Sequence, residues 1–244
     1  MKTKLSPIAF SFLVLGINSA LASEIEQIEI IGKKLSVTEV SASTTNYKTP
    51  DIADQISLLP GANVNKNGPV TGIVQYRGLY GDRVSISIDG QNYIGAGPNA
   101  MDTPLSYSPN VITQTVSAYR GIAPVSAGIE TLGGAVSTQF KKVETSNSEK
   151  TNISGEIILG YRDKNDANKI ALITDIATEK LTALAYYESN QAIETKAPND
   201  IEIPSSHYDK TQAGFIAGWE DTDASISLAY HYTDTKDTGT ASLP

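Results

Sequence analysis

Across its last third the chain alternates apolar and polar side chains with a period of two. Ile153, Ile157, Leu159 and Tyr161 alternate with Asn152, Ser154, Glu156 and Arg162, and Ile226, Leu228, Tyr230 and Tyr232 alternate with Ser225, Ser227, His231 and Thr233. Successive side chains of a strand point to opposite faces, so each run predicts a strand with one apolar and one polar face. Further strands are expected near 170–177, 181–189 and 212–220, with polar turns at 178–180 and 221–223 and a longer loop over 190–208. Such antiparallel strands suit a lipid-facing barrel wall around a wet lumen, and alternation alone suits a soluble β-sandwich as well.

Upstream the pattern is mixed. After Pro50-Asp51, the apolar positions Ile52, Ile56 and Leu59 predict a short amphipathic helix that Pro60-Gly61 stops. Val64 with Ile73 and Val74 is expected to open a small mixed sheet. Val84, Ile86 and Ile88 alternate with Ser85, Ser87 and Asp89, which predicts a strand burying one face, and Asp89-Gly90 is a hairpin signal. Val111 to Val116 is another short apolar element, while Gly121, Gly128, Gly133 and Gly134 mark bends or close backbone packing. A helix with short strands predicts an α+β domain over 46–142. The charged, serine-rich stretch over 143–150 is the expected linker to strands over 151–244.

The N-terminus places the chain in an export pathway. Lys2 and Lys4 precede an apolar run from Ile8 to Ile17, and Ala20-Leu21-Ala22 has the small-x-small pattern of a signal-peptidase site. The run is shorter than the ~20 residues a membrane-spanning helix needs, so residues 1–22 are expected to be a removed secretory signal. Composition then narrows the chemistry. With no cysteine, disulfides and thiolate metal sites are excluded. The formal net charge of -8 argues against nucleic acid as a partner, because phosphate binding needs a basic patch. The only histidines, His207 and His231, have no metal-ligand spacing, and the expected places for them are a loop and the polar face of a strand.

Five short motifs stand in order behind the signal: Leu59-Pro60-Gly61, Arg77-Gly78-Leu79, Ile88-Asp89-Gly90, Tyr119-Arg120-Gly121 and Gly133-Gly134-Ala135-Val136. In this order they resemble the plug domain of TonB-dependent outer-membrane receptors. The resemblance covers residues 24–140, and residues 150–244 follow by pattern alone. It implies an α+β plug followed by strands of an antiparallel transmembrane β-barrel, in a ligand-gated importer of the Gram-negative outer membrane with the plug facing the periplasm. It implies no enzyme activity and no resident cofactor. The implied partners are outer-membrane lipid, a small ligand, and the TonB–ExbB–ExbD complex that supplies energy.

The resemblance also assigns residues. The segment over 23–45, with Ile28, Glu29, Ile30 and Ile31, resembles the energy-coupling box, whose chemistry is strand addition to the periplasmic partner. Arg77 and Arg120 match the arginines that meet carboxylates of the barrel wall, and a local ion pair with Asp82 or Glu130 is the alternative. The loop Gly95-Ala96-Gly97-Pro98-Asn99-Ala100-Met101-Asp102 is similar to that of the copper-receptor subgroup, which carries a cysteine and a methionine four residues later. Here Met101 matches the methionine and Gly97 stands at the cysteine position. Met101 is thus a candidate metal ligand toward transported copper, with a flexible apolar contact as the alternative. Asp102 and Tyr107 are the candidates for hydrogen bonding another ligand. Tyr186, Tyr187, Trp219, Tyr230 and Tyr232 are candidates for an aromatic girdle.

Length sets one more expectation. The stretch after Lys150 holds about five strands of ~9–11 residues, against the ~22 of a plugged transporter barrel. The chain is therefore expected to represent the first part of a receptor. The alternatives are a periplasmic plug-like binding module, a non-functional truncated receptor, and a hydrolase pairing Asp89 with Asp102 or Glu130.

Overall fold

A computed structural model of the protein describes residues 37–41, 49–120, 131–146 and 150–240. The signal, Ile28, Glu29, Ile30, Ile31, Gly121, Gly128 and Glu130 lie outside the described residues.

The C-terminal sheet follows the alternation. β9 (Asn152–Arg162), β10 (Ala167–Ala177), β11 (Leu181–Ala192), β12 (Tyr208–Asp221) and β13 (Ala224–Lys236) pair antiparallel in chain order. Each strand is the immediate neighbour of the next, with polar turns at 178–180 and 221–223 and a longer loop between β11 and β12, where the polar runs were expected. One face carries Ile153, Ile157, Leu159, Ile170, Leu172, Phe215, Ile226 and Leu228, all exposed, with Ile157 70% and Ile226 72% accessible. The opposite face of β10 and β11 buries Ala171, Ile173, Leu184 and Tyr186. These inward residues are apolar where alternation predicted a wet, polar lumen. They join one core with Ile52, Val111, Ile112 and Phe140 of the N-terminal lobe, so protein takes the place of lumen water there. Tyr186 points inward with them, which removes it from the expected girdle. Tyr187, Trp219, Tyr230 and Tyr232 remain on the exposed face.

The N-terminal lobe holds two small sheets. In the first, β1 (Val37–Ser41), β7 (Thr113–Tyr119), β8 (Ala135–Phe140), β5 (Ser85–Ile88) and β6 (Gln91–Tyr93) lie in that spatial order. β5 and β8 are parallel, and the other pairs are antiparallel. The strand predicted at Val84–Ile88 is central and buried throughout. Asp89 (φ 48) and Gly90 (φ 82) form its two-residue hairpin, with both residues in the left-handed region that such a turn requires. β1 falls inside the segment expected to couple energy, yet it pairs with β7 along its length, so the lobe's sheet begins at Val37.

The second sheet, β2 (Ala62–Lys66), β3 (Gly72–Tyr76) and β4 (Leu79–Tyr80), is antiparallel and separate. Val64, Ile73 and Val74 therefore open a sheet of their own rather than the mixed one. The expected helix is present at Ile52–Leu58 as a 3-10 helix, and among the described residues no α-helix occurs. Seven residues between the Asp51 and Leu59 caps leave few i→i−4 bonds to be made, and the tighter i→i+3 bonding wins. Among the described residues no helix is long and apolar enough to cross a membrane.

Candidate functional site

The lobe meets the sheet through a buried belt of charge. Strand register sets it up: Asn190 lies between Lys169 and Lys210, and in the next inward row Glu188 lies between Ala171 and Gln212. Glu188 is fully buried. Its Oε1 accepts from Lys169 Nζ at 2.7 Å and from Asn190 Nδ2 at 2.8 Å, and its Oε2 accepts from the Val111 backbone N–H of the lobe at 3.1 Å. Lys210, also fully buried, donates to the Pro50 carbonyl at 3.2 Å. Gln212 Nε2 donates to the Ser106 carbonyl at 3.3 Å and to Thr233 Oγ1 at 3.1 Å.

On the lobe side Asp51 faces Lys210. Asp51 Oδ1 caps the 3-10 helix through Ala53 N at 3.0 Å, and Oδ2 accepts from Gly72 N at 2.8 Å. Burial raises its carboxyl above the usual carboxylate range, and the Lys210 ammonium opposes that shift. Beside it, Asn110 Nδ2 donates to the Thr49 carbonyl at 2.9 Å. Asp51, Lys210, Glu188 and Lys169 thus alternate in sign, which is how buried charges persist in a low dielectric. At the other end of the strands, Lys141 Nζ pairs with Asp175 at 2.9 Å and Ser146 N donates to the Thr178 carbonyl at 2.8 Å. The lobe is fastened to the sheet at both levels. Between them Tyr186 Oη lies 2.9 Å from His231 Nδ1, and the His231 ring is 5.0 Å from that of Phe140. His231 faces inward as expected, and His207 lies in the outer loop 2.6 Å from Glu194.

The expected contacts of Arg77 and Arg120 are not seen. Both side chains are exposed, and neither forms an ion pair among the described residues. Arg77 sits at φ 52 in the turn between β3 and β4. Among the described residues the charges that fasten the lobe to the sheet include Lys169, Glu188 and Lys210. Their signal was present in the sequence, since a charge that alternates with outward Ile170 and Leu172, or with Tyr187, has to face inward.

A second constellation surrounds the loop between β6 and β7. Ala96 and Asp102 exchange two backbone hydrogen bonds of 3.0 Å, closing a small loop around Pro98–Ala100. Gly97 has φ 75 and ψ 169, a region open essentially to glycine alone, so a cysteine at this position is strained. Met101 is half-buried beside it. Tyr107 Oη donates to Asp102 Oδ1 at 2.7 Å, and the Tyr93 and Tyr107 rings stack with centroids 6.3 Å apart. The bond to Asp102, with burial second, pushes the Tyr107 phenol up to about 12. The two candidate ligand groups are therefore brought together and engage one another. An apolar cavity of 230 Å³ adjoins the loop, lined by Ile73, Val84, Ile86, Tyr93, Ile94 and Thr103 among others. Among the described residues no group of three or more histidines and carboxylates is placed to hold a metal ion. Asp89 is engaged by the Phe140 backbone N–H at 3.4 Å and Asp102 by Tyr107, so each carboxylate serves local structure.

No family model matches the chain, and no curated protein matches it. Solved structures do. The copper transporter OprC matches with a TM-score of 0.72 at 21% identity, over 82% of this chain and 30% of its own. The siderophore receptor PirA from Acinetobacter baumannii matches with a TM-score of 0.60 at 18% identity, over 82% of this chain and 32% of its own. The FrpB iron transporter from Neisseria meningitidis matches with 0.62 at 16%, over 82% and 32% respectively. This chain has their fold. It spans about a third of the length of these receptors and transporters.

Proposed function

We propose that the chain forms the plug and first wall strands of a TonB-energised outer-membrane importer of a scarce nutrient, a metal ion or metal chelate. The observation that carries this reading is the two-faced sheet. Its inner face shares a core with the lobe, and its outer face presents isoleucine, leucine and aromatic side chains along strands of 11 to 14 residues. Strands of this length cross a hydrocarbon layer when tilted, and an apolar outer band is what lipid requires. A water-soluble periplasmic module has no use for that face, so the second reading is the weaker. The likeness to receptors and transporters of metals and siderophores supports the class of cargo.

In this reading Ile28, Glu29, Ile30 and Ile31 pair as an added strand with the periplasmic energy-transducing protein, and the plug faces the periplasm. Met101, Asp102 and Tyr107 lie on a loop that meets the ligand. Copper as cargo rests on Met101 and on the likeness to a copper transporter. Against it stands Gly97, whose backbone disfavours the missing cysteine. Arg77 and Arg120 remain available to further wall strands. The test is uptake by cells carrying Ile30→Pro, which removes a pairing donor and the extended geometry. Transport is expected to be lost while the protein still inserts in the outer membrane, and normal uptake by that variant would overturn the reading.

A further inference from the structure

We infer that Lys210 is the wall residue that clamps the leading segment of the plug, and that its release frees that segment from the barrel; this rests on the plug reading above. Thr49 and Pro50 are the last residues before the Asp51 cap, and the chain that precedes them leads back toward the coupling segment. Both of their carbonyls are held from a distance: Thr49 by Asn110 of the plug, and Pro50 by Lys210 of the wall, 160 residues away in sequence. Lys210 thus ties this segment to the wall through its own side chain. A fully buried ammonium has no water to fall back on, and here its companions are the Pro50 carbonyl and the neighbouring charges of Asp51 and Glu188.

The arrangement is mechanically directed. Tension that has already freed β1 from β7 reaches Pro50 and Asp51 before it reaches the strands beyond them. Moving Pro50 away strips Lys210 of its backbone acceptor and, through Asp51, of its nearest plug countercharge. Lys169 Nζ meets Glu188 on the neighbouring strand at 2.7 Å. Lys210 therefore positions the plug's leading segment, whereas the Lys169–Glu188 pair holds the Val111 region.

The test uses the complete receptor in outer membranes that lack the energy-transducing partner. The chain has no cysteine, so Thr49→Cys supplies a single thiol in it for labelling by a bulky maleimide. Adding Lys210→Met is expected to raise the labelling rate about tenfold or more. Lys210→Arg, which keeps a cationic donor, and Lys169→Met are expected to stay within about twofold of the parent. If Lys210→Met is not assembled in the membrane, Lys210→Gln serves with the same readout. A rate unchanged by the Lys210 substitution overturns the clamp. Uptake by the same strains with the partner restored is scored separately: a faster-labelling variant in a protein that imports nothing keeps the clamp and overturns the importer.

Discussion

Glu188→Gln is the perturbation that weighs most directly on the seam between the lobe and the C-terminal sheet. The glutamine keeps an oxygen for the Val111 N–H and an atom count close to the original. It removes the charge that Lys169 meets at 2.7 Å and that Asn190 supports at 2.8 Å. Lys169 is 7% exposed, so its ammonium is left in a site that water scarcely reaches. Breaking a buried pair from one side costs about 3–5 kcal/mol, because the remaining charge is uncompensated. At ~1.4 kcal/mol per tenfold, the balance between seated and unseated plug shifts by roughly two to nearly four orders of magnitude. Adding Lys169→Met removes the orphaned charge, and the double variant is expected to recover all but about 1 kcal/mol, since a neutral replacement of a buried pair is often tolerated. The assay is amide hydrogen exchange of the peptide containing Val111 in the membrane-embedded protein. Glu188→Gln is expected to lose protection there, and the double variant to regain most of it. Unchanged protection in the single variant, or a double variant as unprotected as the single one, refutes the reasoning.

Other outcomes follow from the same structure. Gly97→Cys is expected to destabilise the 96–102 loop by about 1–3 kcal/mol, because the φ of 75 with a ψ of 169 is costly for any side chain; faster proteolysis within the loop checks this, and native resistance refutes it. Leu172→Lys, at the middle of β10 on the outer face, is expected to cost about 2–4 kcal/mol of folding into lipid vesicles, and a cost near zero removes the lipid-facing assignment. Tyr107 donates to Asp102 as a neutral phenol with its pKa raised to about 12, so the bond's contribution is complete below pH ~10 and is lost as pH rises through about 12. A tyrosinate absorbance titration is expected to show a late-ionising fraction that includes Tyr107, and Tyr107→Phe to lower its amplitude by one residue.

Much of the wall was legible in the sequence, and the reason is its period of two. Outward Ile153, Ile157, Leu172 and Leu228 announce strands and a facing direction without any tertiary knowledge, and the turns at 178–180 and 221–223 are marked by polar residues. What alternation does not tell is the medium on the inner side. Ala171, Ile173 and Leu184 meet a protein core there, which depends on distant upstream residues such as Ile52 and Val111. The hairpin at Asp89-Gly90 was legible because two consecutive left-handed residues demand such a pair. The helix at Ile52 was legible in place but not in kind, since seven residues lie too close to the nucleation cost for periodicity to decide between helix types.

The candidate site was legible only in part. Asp102 and Tyr107 were found by their chemistry, but their mutual bond of 2.7 Å depends on the loop closing at Ala96. Arg77 and Arg120 were assigned by motif and are solvent-facing among the described residues. Lys169, Glu188 and Lys210 belong to no motif and read in the sequence only as members of a polar face. Only strand register reveals that they share adjacent inward rows.

The belt of charge also carries a timetable. The Val111 amide waits for Glu188, 77 residues downstream, and the Pro50 carbonyl waits for Lys210, 160 residues downstream. Synthesis proceeds from the N-terminus, so the lobe emerges long before the groups that complete its buried hydrogen bonds. The wall hairpins, by contrast, pair each strand with its immediate successor and can zip in order. Contacts of large sequence separation form slowly because chain entropy must be spent before they return anything. The lobe therefore stays unfinished after it emerges, and it reaches its final form only when β12 folds against it.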